Sequence, residues 1–250
     1  TVRMALPEIH FLVDVSGSMK KTDSQNLRVP SIKIFNYLVN KKAMMSISTF
    51  ATEIEEIIPL QEVTLKFINL FINQKEKITS DGKWTNIDAA LNAANKSWKS
   101  KKRIIILLTD GALDLGSELL NTQSTKNLNE TTIATLQRDQ VQVYTIGLSK
   151  KADKQLLDNI SSRTNGISQI IIDPKDLDDI VYSIFTAIID IDGTIMAKNK
   201  DSKREFNIDK SVQDFTLIFK KHNKLSELYI ENPLGIKKNI SGYGKESFTL

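Results

Sequence analysis

The sequence predicts an open, doubly wound α/β domain with a mostly parallel sheet flanked by helices, followed by a small all-β unit. Three observations carry this. Short runs rich in Ile and Val recur through residues 1–192. Segments with helical apolar spacing lie between them. Over residues 193–250 that alternation stops, and short β-prone stretches separated by Asn, Pro and Gly replace it.

The apolar runs are Ile9–Val15, Ala43–Phe50, Arg103–Leu108, Val141–Gly147 and Ile167–Ile172. An unbroken run such as "IIILL" at 104–108 suits a strand covered on both faces, as in a parallel sheet. Ile32, Phe35 and Leu38 form one helical stripe, and Ile87, Ala90, Leu91, Ala94 and Trp98 a second. The third, Leu177, Ile180, Val181, Ile184, Phe185 and Ile188, follows i, i+3, i+4 spacing without a gap. Asp173 is placed to cap it, with Pro174 at the first helical position. "ATEIEEIIPL" at 51–60 reads as a short extra edge strand ending at Pro59. In the trailing unit, "REFNIDKSVQDFTLIFKK", "LSELYIENPLG" and "KESFTL" read as β segments, in a stretch short for a complete sandwich.

Composition narrows the function classes. The chain has no cysteine, which excludes thiolate chemistry, zinc–thiolate sites and disulfides. Residues 1–194 hold 23 Lys and Arg against 23 Asp and Glu, and residues 195–250 hold 11 against 7. So mild an excess does not describe a nucleic-acid binder. The basic run "KSKKR" at 99–103 reads as a solvated strand entrance. No apolar stretch reaches the roughly 18 residues that span a bilayer. The chain begins at Thr1 rather than Met, as a processed product or a fragment does.

In an open α/β sheet, ligands bind beyond the carboxyl ends of the strands. Three loops there carry oxygen donors. The first strand ends in "VDVSGSM", with Asp14, Ser16 and Ser18 at alternate positions. The strand at 104–108 runs into "LTDG", with Thr109 and Asp110 at its edge. Between them "DGKWTNIDAAL" turns into a helix at Thr85. On its own "DVSGS" fits a serine-rich turn equally well, and Asp110 fits a buried strand-end carboxylate. Taken together, two carboxylates and several hydroxyls without His or Cys favour a hard divalent cation, Mg²⁺ first, with Mn²⁺ or Ca²⁺ as alternatives. Two carboxylates nearly neutralise such an ion and leave room for an anionic ligand from outside.

These residues resemble the von Willebrand factor type A (vWA) domain, a Rossmann-like fold, and its metal-ion-dependent adhesion site (MIDAS). The Asp-x-Ser-x-Ser motif of that family matches Asp14, Ser16 and Ser18, its loop threonine Thr85, and its later aspartate Asp110. "VQVYTIGLS" and "SSRTNGISQIIIDPKDLDDIVYSIF" are similar to its last strands and final helix. Departures are Trp84, where the family often has glycine, and a long first loop and helix containing Pro30. Trp84 reads as a loop-packing residue, with a ligand contact at the rim as the alternative. The resemblance implies a binding module in which the serines and threonine hold the metal directly. The aspartates hold it directly or through water, and a partner's Asp or Glu completes the shell.

Competing functions are weaker. "IIDIDGTI" at 188–195 resembles the nucleophile motif of haloacid-dehalogenase-type phosphatases, through Asp190 and Asp192, but little chain follows it and a helix precedes it. Asp110 resembles a Walker B aspartate, yet no G-x-x-x-x-G-K-[ST] accompanies it. Ser16 lacks a nucleophile elbow, and the histidines, His10 and His222, have no identifiable aspartate partner. No enzymatic activity is expected. The trailing β unit, with "YIENPLG", resembles segments that follow type A domains in hemicentins and chloride-channel regulators, which implies a secreted or cell-surface protein. The alternative is a cytoplasmic vWA subunit of an ATPase-linked assembly or metal-insertion complex.

Overall fold

The structure is a computed structural model and describes residues 6–96, 98–111, 113–189, 214–217, 229–231, 235, 237–239 and 246–249. The chain divides into two compact units, Thr1–Asp190 and Ile191–Leu250.

The first unit is built on a six-stranded sheet. Its strands are β1 (Glu8–Asp14), β2 (Met44–Phe50), β3 (Ile54–Glu62), β4 (Arg103–Thr109), β5 (Val141–Gly147) and β6 (Ser168–Ile170), in the spatial order β3-β2-β1-β4-β5-β6. All neighbours run parallel except β3, which pairs antiparallel with β2 at one edge. The central strands are the continuous apolar runs, and Ile104 to Leu108 of β4 are completely buried. The extra edge strand does not stop at Pro59 but continues to Glu62. Its pairing with β2 skips residues between Met45 and Ile47, and Pro59 falls in that irregular stretch. A residue without an N–H is tolerated where the ladder is already broken and the edge faces solvent.

Among the described residues eight α-helical segments accompany the sheet: α1 (Met19–Thr22), α2 (Arg28–Leu38), α3 (Leu65–Gln74), α4 (Ile87–Ala94), α5 (Glu118–Asn127), α6 (Ile133–Arg138), α7 (Lys154–Arg163) and α8 (Leu177–Ile188). The first stripe is α2, whose Phe35 meets Phe11 of β1 edge-on at 5.4 Å, and α8 packs beside it. On the opposite face Ile87, Ala90 and Leu91 of α4 join Leu12, Leu107, Leu136, Leu157 and Ile160 in one cluster. Each buried Leu or Ile side chain there contributes about 1.5–3 kcal/mol. Trp98 packs against that cluster but lies beyond the end of α4, so the second stripe overran its helix. Pro30 sits in the first turn of α2, where its missing N–H has no intrahelical partner to lose. Asp173 accepts from the Lys175 N–H, and the chain enters α8 through one 3₁₀ turn at Pro174–Asp176.

Helices α3, α5, α6 and α7 went unread in the sequence. Helix α5 has only Ser124 buried, so it shows no apolar stripe to detect. A π-helical stretch, Leu128–Thr132, joins it to α6. Asn159 on α7 donates to the Asn129 side chain at 2.6 Å, and Arg163 to the Asn129 carbonyl at 2.9 Å, pinning the widened turn.

In the second unit, β7 (Asp214–Leu217) pairs antiparallel with β10 (Glu246–Thr249), and β8 (Tyr229–Glu231) with β9 (Lys237–Asn239). Gly235, between β8 and β9 in the chain, has φ +78°, a backbone region glycine enters without strain.

Candidate metal centre

From β1 the chain moves to β2 on one side, whereas β4 leads to β5 on the other. The carboxyl ends of β1 and β4 therefore lie at the point where strand order reverses, and a crevice opens between their diverging loops. Asp14 is the last residue of β1, and Asp110 follows the last residue of β4.

Asp14 is fully buried. Its Oδ1 accepts the Ser16 N–H at 2.8 Å, and its Oδ2 accepts the Thr109 hydroxyl at 2.6 Å. Thr109 in turn accepts the Gly111 N–H at 3.0 Å. The Ser16 and Ser18 hydroxyl oxygens lie 3.0 Å apart. Met19, the last residue of "VDVSGSM", is buried in the core and anchors the turn from below. Asp110 is 2% exposed, and its Oδ2 accepts the Thr22 hydroxyl at 3.0 Å. The Asp153 N–H donates to its carbonyl at 3.0 Å.

Thr85 lies on a separate loop, which meets the end of β1 at Gly82. Gly82 N–H donates to the Val15 carbonyl at 2.9 Å, and Ser16 and Gly82 pair as a single parallel bridge. A Cβ at Gly82 would come within 2.3 Å of the Ala51 Cβ, so this approach requires glycine. Thr85 is 3% exposed, and its backbone pairs with Asp114 through bonds of 2.7 and 3.2 Å. Asn86 then caps α4 by accepting the Ala89 N–H at 3.1 Å. Direct bonds thus tie Asp14 to Ser16 and to the residue before Asp110, and Ser16 to Ser18. Thr85 itself is tied to Asp114, and its loop joins the end of β1 three residues earlier, at Gly82.

Sequence reasoning missed three groups. Thr22 lies four residues after Ser18, one helical turn on, and that spacing was its only signal. Asp23 and Arg28 form a buried ion pair at 2.8 Å, which nothing in their spacing announces. Burial pulls the Arg28 guanidinium down from its usual value and lifts the Asp23 carboxyl, and the ion pair opposes both shifts.

Burial also pushes Asp14 up to about 6, reinforced by the charge of Asp110, although the Ser16 and Thr109 hydrogen bonds act the other way. Two buried carboxylates held this close repel, and a cation between them would relieve both costs. Among the described residues no group of three or more His, Asp or Glu side chains could hold a metal, so an ion held here would take its remaining donors from hydroxyls. A donor set of carboxylate and hydroxyl oxygens fits a hard divalent ion.

Trp84 is half-buried and packs on Gly116, where a Cβ would lie 2.4 Å from its ring; Lys83 Nζ sits 5.3 Å from the ring centroid. His10 meets Trp98 edge-on at 4.3 Å, away from the donors, as a packing residue. His222, Asp190 and Asp192 lie outside the described residues; the helix expected ahead of the aspartates is present, as α8.

No curated protein matches the chain. Among solved structures it is similar to a von Willebrand factor type A protein from Catenulispora acidiphila, at 15% identity over 72% of this chain and 42% of that one, with a TM-score of 0.57. It is also similar to proximal thread matrix protein 1 from the mussel byssus, at 18% identity over 73% of this chain and 46% of that one, with a TM-score of 0.56. That mussel protein has been solved with a zinc-occupied MIDAS motif as well, matching at 17% identity over 73% and 48% of the chains with a TM-score of 0.51. The chain spans less than half the length of these neighbours, and at such identities the likeness concerns the fold. The family model for the von Willebrand factor type A domain matches residues 8–185, and the chain belongs to that family.

Proposed function

We propose that this chain is a metal-dependent protein-binding module of the adhesion type, without enzymatic activity. Asp14, Ser16, Ser18, Thr85 and Asp110 would hold Mg²⁺, or Mn²⁺ or Ca²⁺, as a MIDAS. When bound, the ion supplies positive charge and an open position for an Asp or Glu of a protein partner. The observation that supports this best is the meeting, at the β1/β4 switch point, of two buried carboxylates with the Ser16–Ser18 hydroxyl pair.

The protein's own part is orientation. Ser16 N–H and the Thr109 hydroxyl hold the Asp14 carboxylate from either side, and Thr22 holds that of Asp110. The buried setting raises the strength of any ion–carboxylate contact made there. Absence of catalysis is supported by the neighbours of the serines, whose hydroxyls face each other while His10 packs on Trp98. A secreted or cell-surface location rests on the resemblance of the trailing β unit alone.

Calorimetric titration of Mg²⁺ and Mn²⁺ into the EDTA-treated protein tests the reading. Saturable binding that Asp14→Ala and Asp110→Ala both abolish, with the fold intact by circular dichroism, is the expected result. Binding unchanged in both variants would rule out this centre.

A further inference from the structure

Arg28 is 1% exposed, yet it is a charged residue on the first turn of α2. Its guanidinium donates in four directions. Nε reaches Asp23 Oδ2 at 2.8 Å, Nη1 reaches the Asp14 carbonyl at 2.5 Å and the Thr79 carbonyl at 2.8 Å, and Nη2 reaches the Ser80 hydroxyl at 2.8 Å. The acceptors belong to three separate segments: the end of β1, the turn after α1, and the stretch that delivers Thr85. Asp23 is itself held by the Leu27 N–H at 2.6 Å, so the clamp is rooted in the start of α2.

Stability alone is a poor reason for such a group. Desolvating a buried ion pair cancels much of its attraction, and apolar residues of similar volume often serve the fold as well. What an apolar side chain cannot do is hold three segments at fixed distances, which the rigid fork of a guanidinium does. The β1 end and the Thr85 loop already meet at Gly82, which donates to the Val15 carbonyl and bridges Ser16. The exposed Lys20–Asp81 pair and the Asn26 bond to the Ile78 carbonyl reach the same stretch from α1 and the turn that follows it. Arg28 is the buried side chain that bonds the β1 end and the Thr79–Ser80 stretch at the same time, and so fixes the orientation of one against the other.

We propose that Arg28 is the positioning residue of the metal centre, setting the place of the Thr85 loop relative to Asp14, Ser16 and Ser18. This rests on the metal reading given above. The guanidinium charge also attracts both Asp14 and Asp110, which tempers their repulsion before any cation arrives. Because the clamp governs donor placement, it acts on ion selectivity. Mg²⁺ demands a near-octahedral shell at fixed short distances, whereas Ca²⁺ accepts a larger and less regular one.

The test is separate calorimetric titration of Mg²⁺ and Ca²⁺ into the full chain, for wild type, Arg28→Lys and Ser80→Ala, with the folded fraction followed by circular dichroism. Arg28→Lys keeps the charge and loses the fork. It is expected to weaken Mg²⁺ binding about tenfold or more, the usual size for loss of a group that orients a metal ligand, and Ca²⁺ binding clearly less. Ser80→Ala removes one of the four bonds and is expected to shift Mg²⁺ the same way by about threefold. A structural role alone would lower both affinities by one common factor. Equal factors for the two ions, or no change in either, in folded Arg28→Lys would overturn the proposal. If Arg28→Lys does not fold, Ser80→Ala decides: a changed Mg²⁺/Ca²⁺ ratio upholds the proposal and an unchanged ratio overturns it. A wild-type chain that binds neither ion defeats the metal reading itself, and this inference with it.

Discussion

Strand β1 has a buried carboxylate at each end, Glu8 at 4% exposure and Asp14 at 0%. The two ends hold them differently. Glu8 Oε2 accepts the Lys99 N–H at 2.8 Å, and its register partner on β4 is Arg103. Two residues on, His10 packs on Trp98. The surroundings of Glu8 are backbone donors, basic residues and rings. At the other end Asp14 faces Thr109 and a second carboxylate, Asp110, with serine hydroxyls on the adjoining turn. Burial of an acid is therefore not what marks a site. A like charge brought within reach, with hydroxyl oxygens beside it, is what distinguishes the carboxyl end.

Substitution at the two ends should separate them most sharply. Asp14→Ala is expected to weaken Mn²⁺ binding by at least about 100-fold. Glu8→Ala is expected to leave Mn²⁺ affinity unchanged and to cost about 0.5–1.5 kcal/mol in urea unfolding, the net worth of its part-buried hydrogen bond to the Lys99 N–H. Metal affinity lost equally from both variants would erase the contrast.

The pH dependence of stability is the next largest effect, and its sign depends on the metal. Asp14 has a folded-state value of about 6, above the ordinary 3.8, so the metal-free folded chain binds the extra proton. Its contribution to stability is fully present below about pH 4 and is lost as pH rises through about 6. In EDTA, Asp14→Asn should therefore stabilise the chain by about 2 kcal/mol at pH 7, and the gain should vanish near pH 4. With saturating Mg²⁺ the order reverses at pH 7, because only wild type gains the binding energy of the ion. Urea unfolding at pH 4 and pH 7, with and without Mg²⁺, measures all four cases.

Smaller effects sharpen the picture. Thr22→Val removes the hydroxyl that holds Asp110 and should weaken Mg²⁺ binding about three- to tenfold, with stability changed by less than about 1 kcal/mol. His10→Phe should do the opposite. Nε2 of His10 is buried without a hydrogen-bond partner, so a ring without that atom should add about 0.5–1 kcal/mol in thermal unfolding and leave metal binding alone.

Much of this was readable in the sequence. The five parallel strands and the stripes of α2, α4 and α8 follow from apolar runs and spacings confined to one segment each. That Asp14, Ser16, Ser18 and Asp110 gather at the carboxyl ends of β1 and β4 was visible for a related reason: a polar cluster that ends a buried strand must sit at the end of the sheet. Other elements carried no local mark. Helix α5 exposes Leu119 and Leu120 and buries only a serine, so its periodicity does not report a core-facing side. Strand β3 runs past Pro59 because a break in pairing with β2 makes room for the proline, and the break is a property of two strands together.

The sequence by itself determined the alternation of elements and the donor types, since a run of isoleucines or an Asp-x-Ser-x-Ser turn has its chemistry within a few residues. Tertiary structure alone decided which groups hold those donors in place. Thr22 meets Asp110 across 88 positions, Thr109 meets Asp14 across 95, and Arg28 meets Thr79 across 51. Such bonds exist only after the sheet has ordered its strands, because the sheet is what brings the carboxyl ends of β1 and β4 side by side.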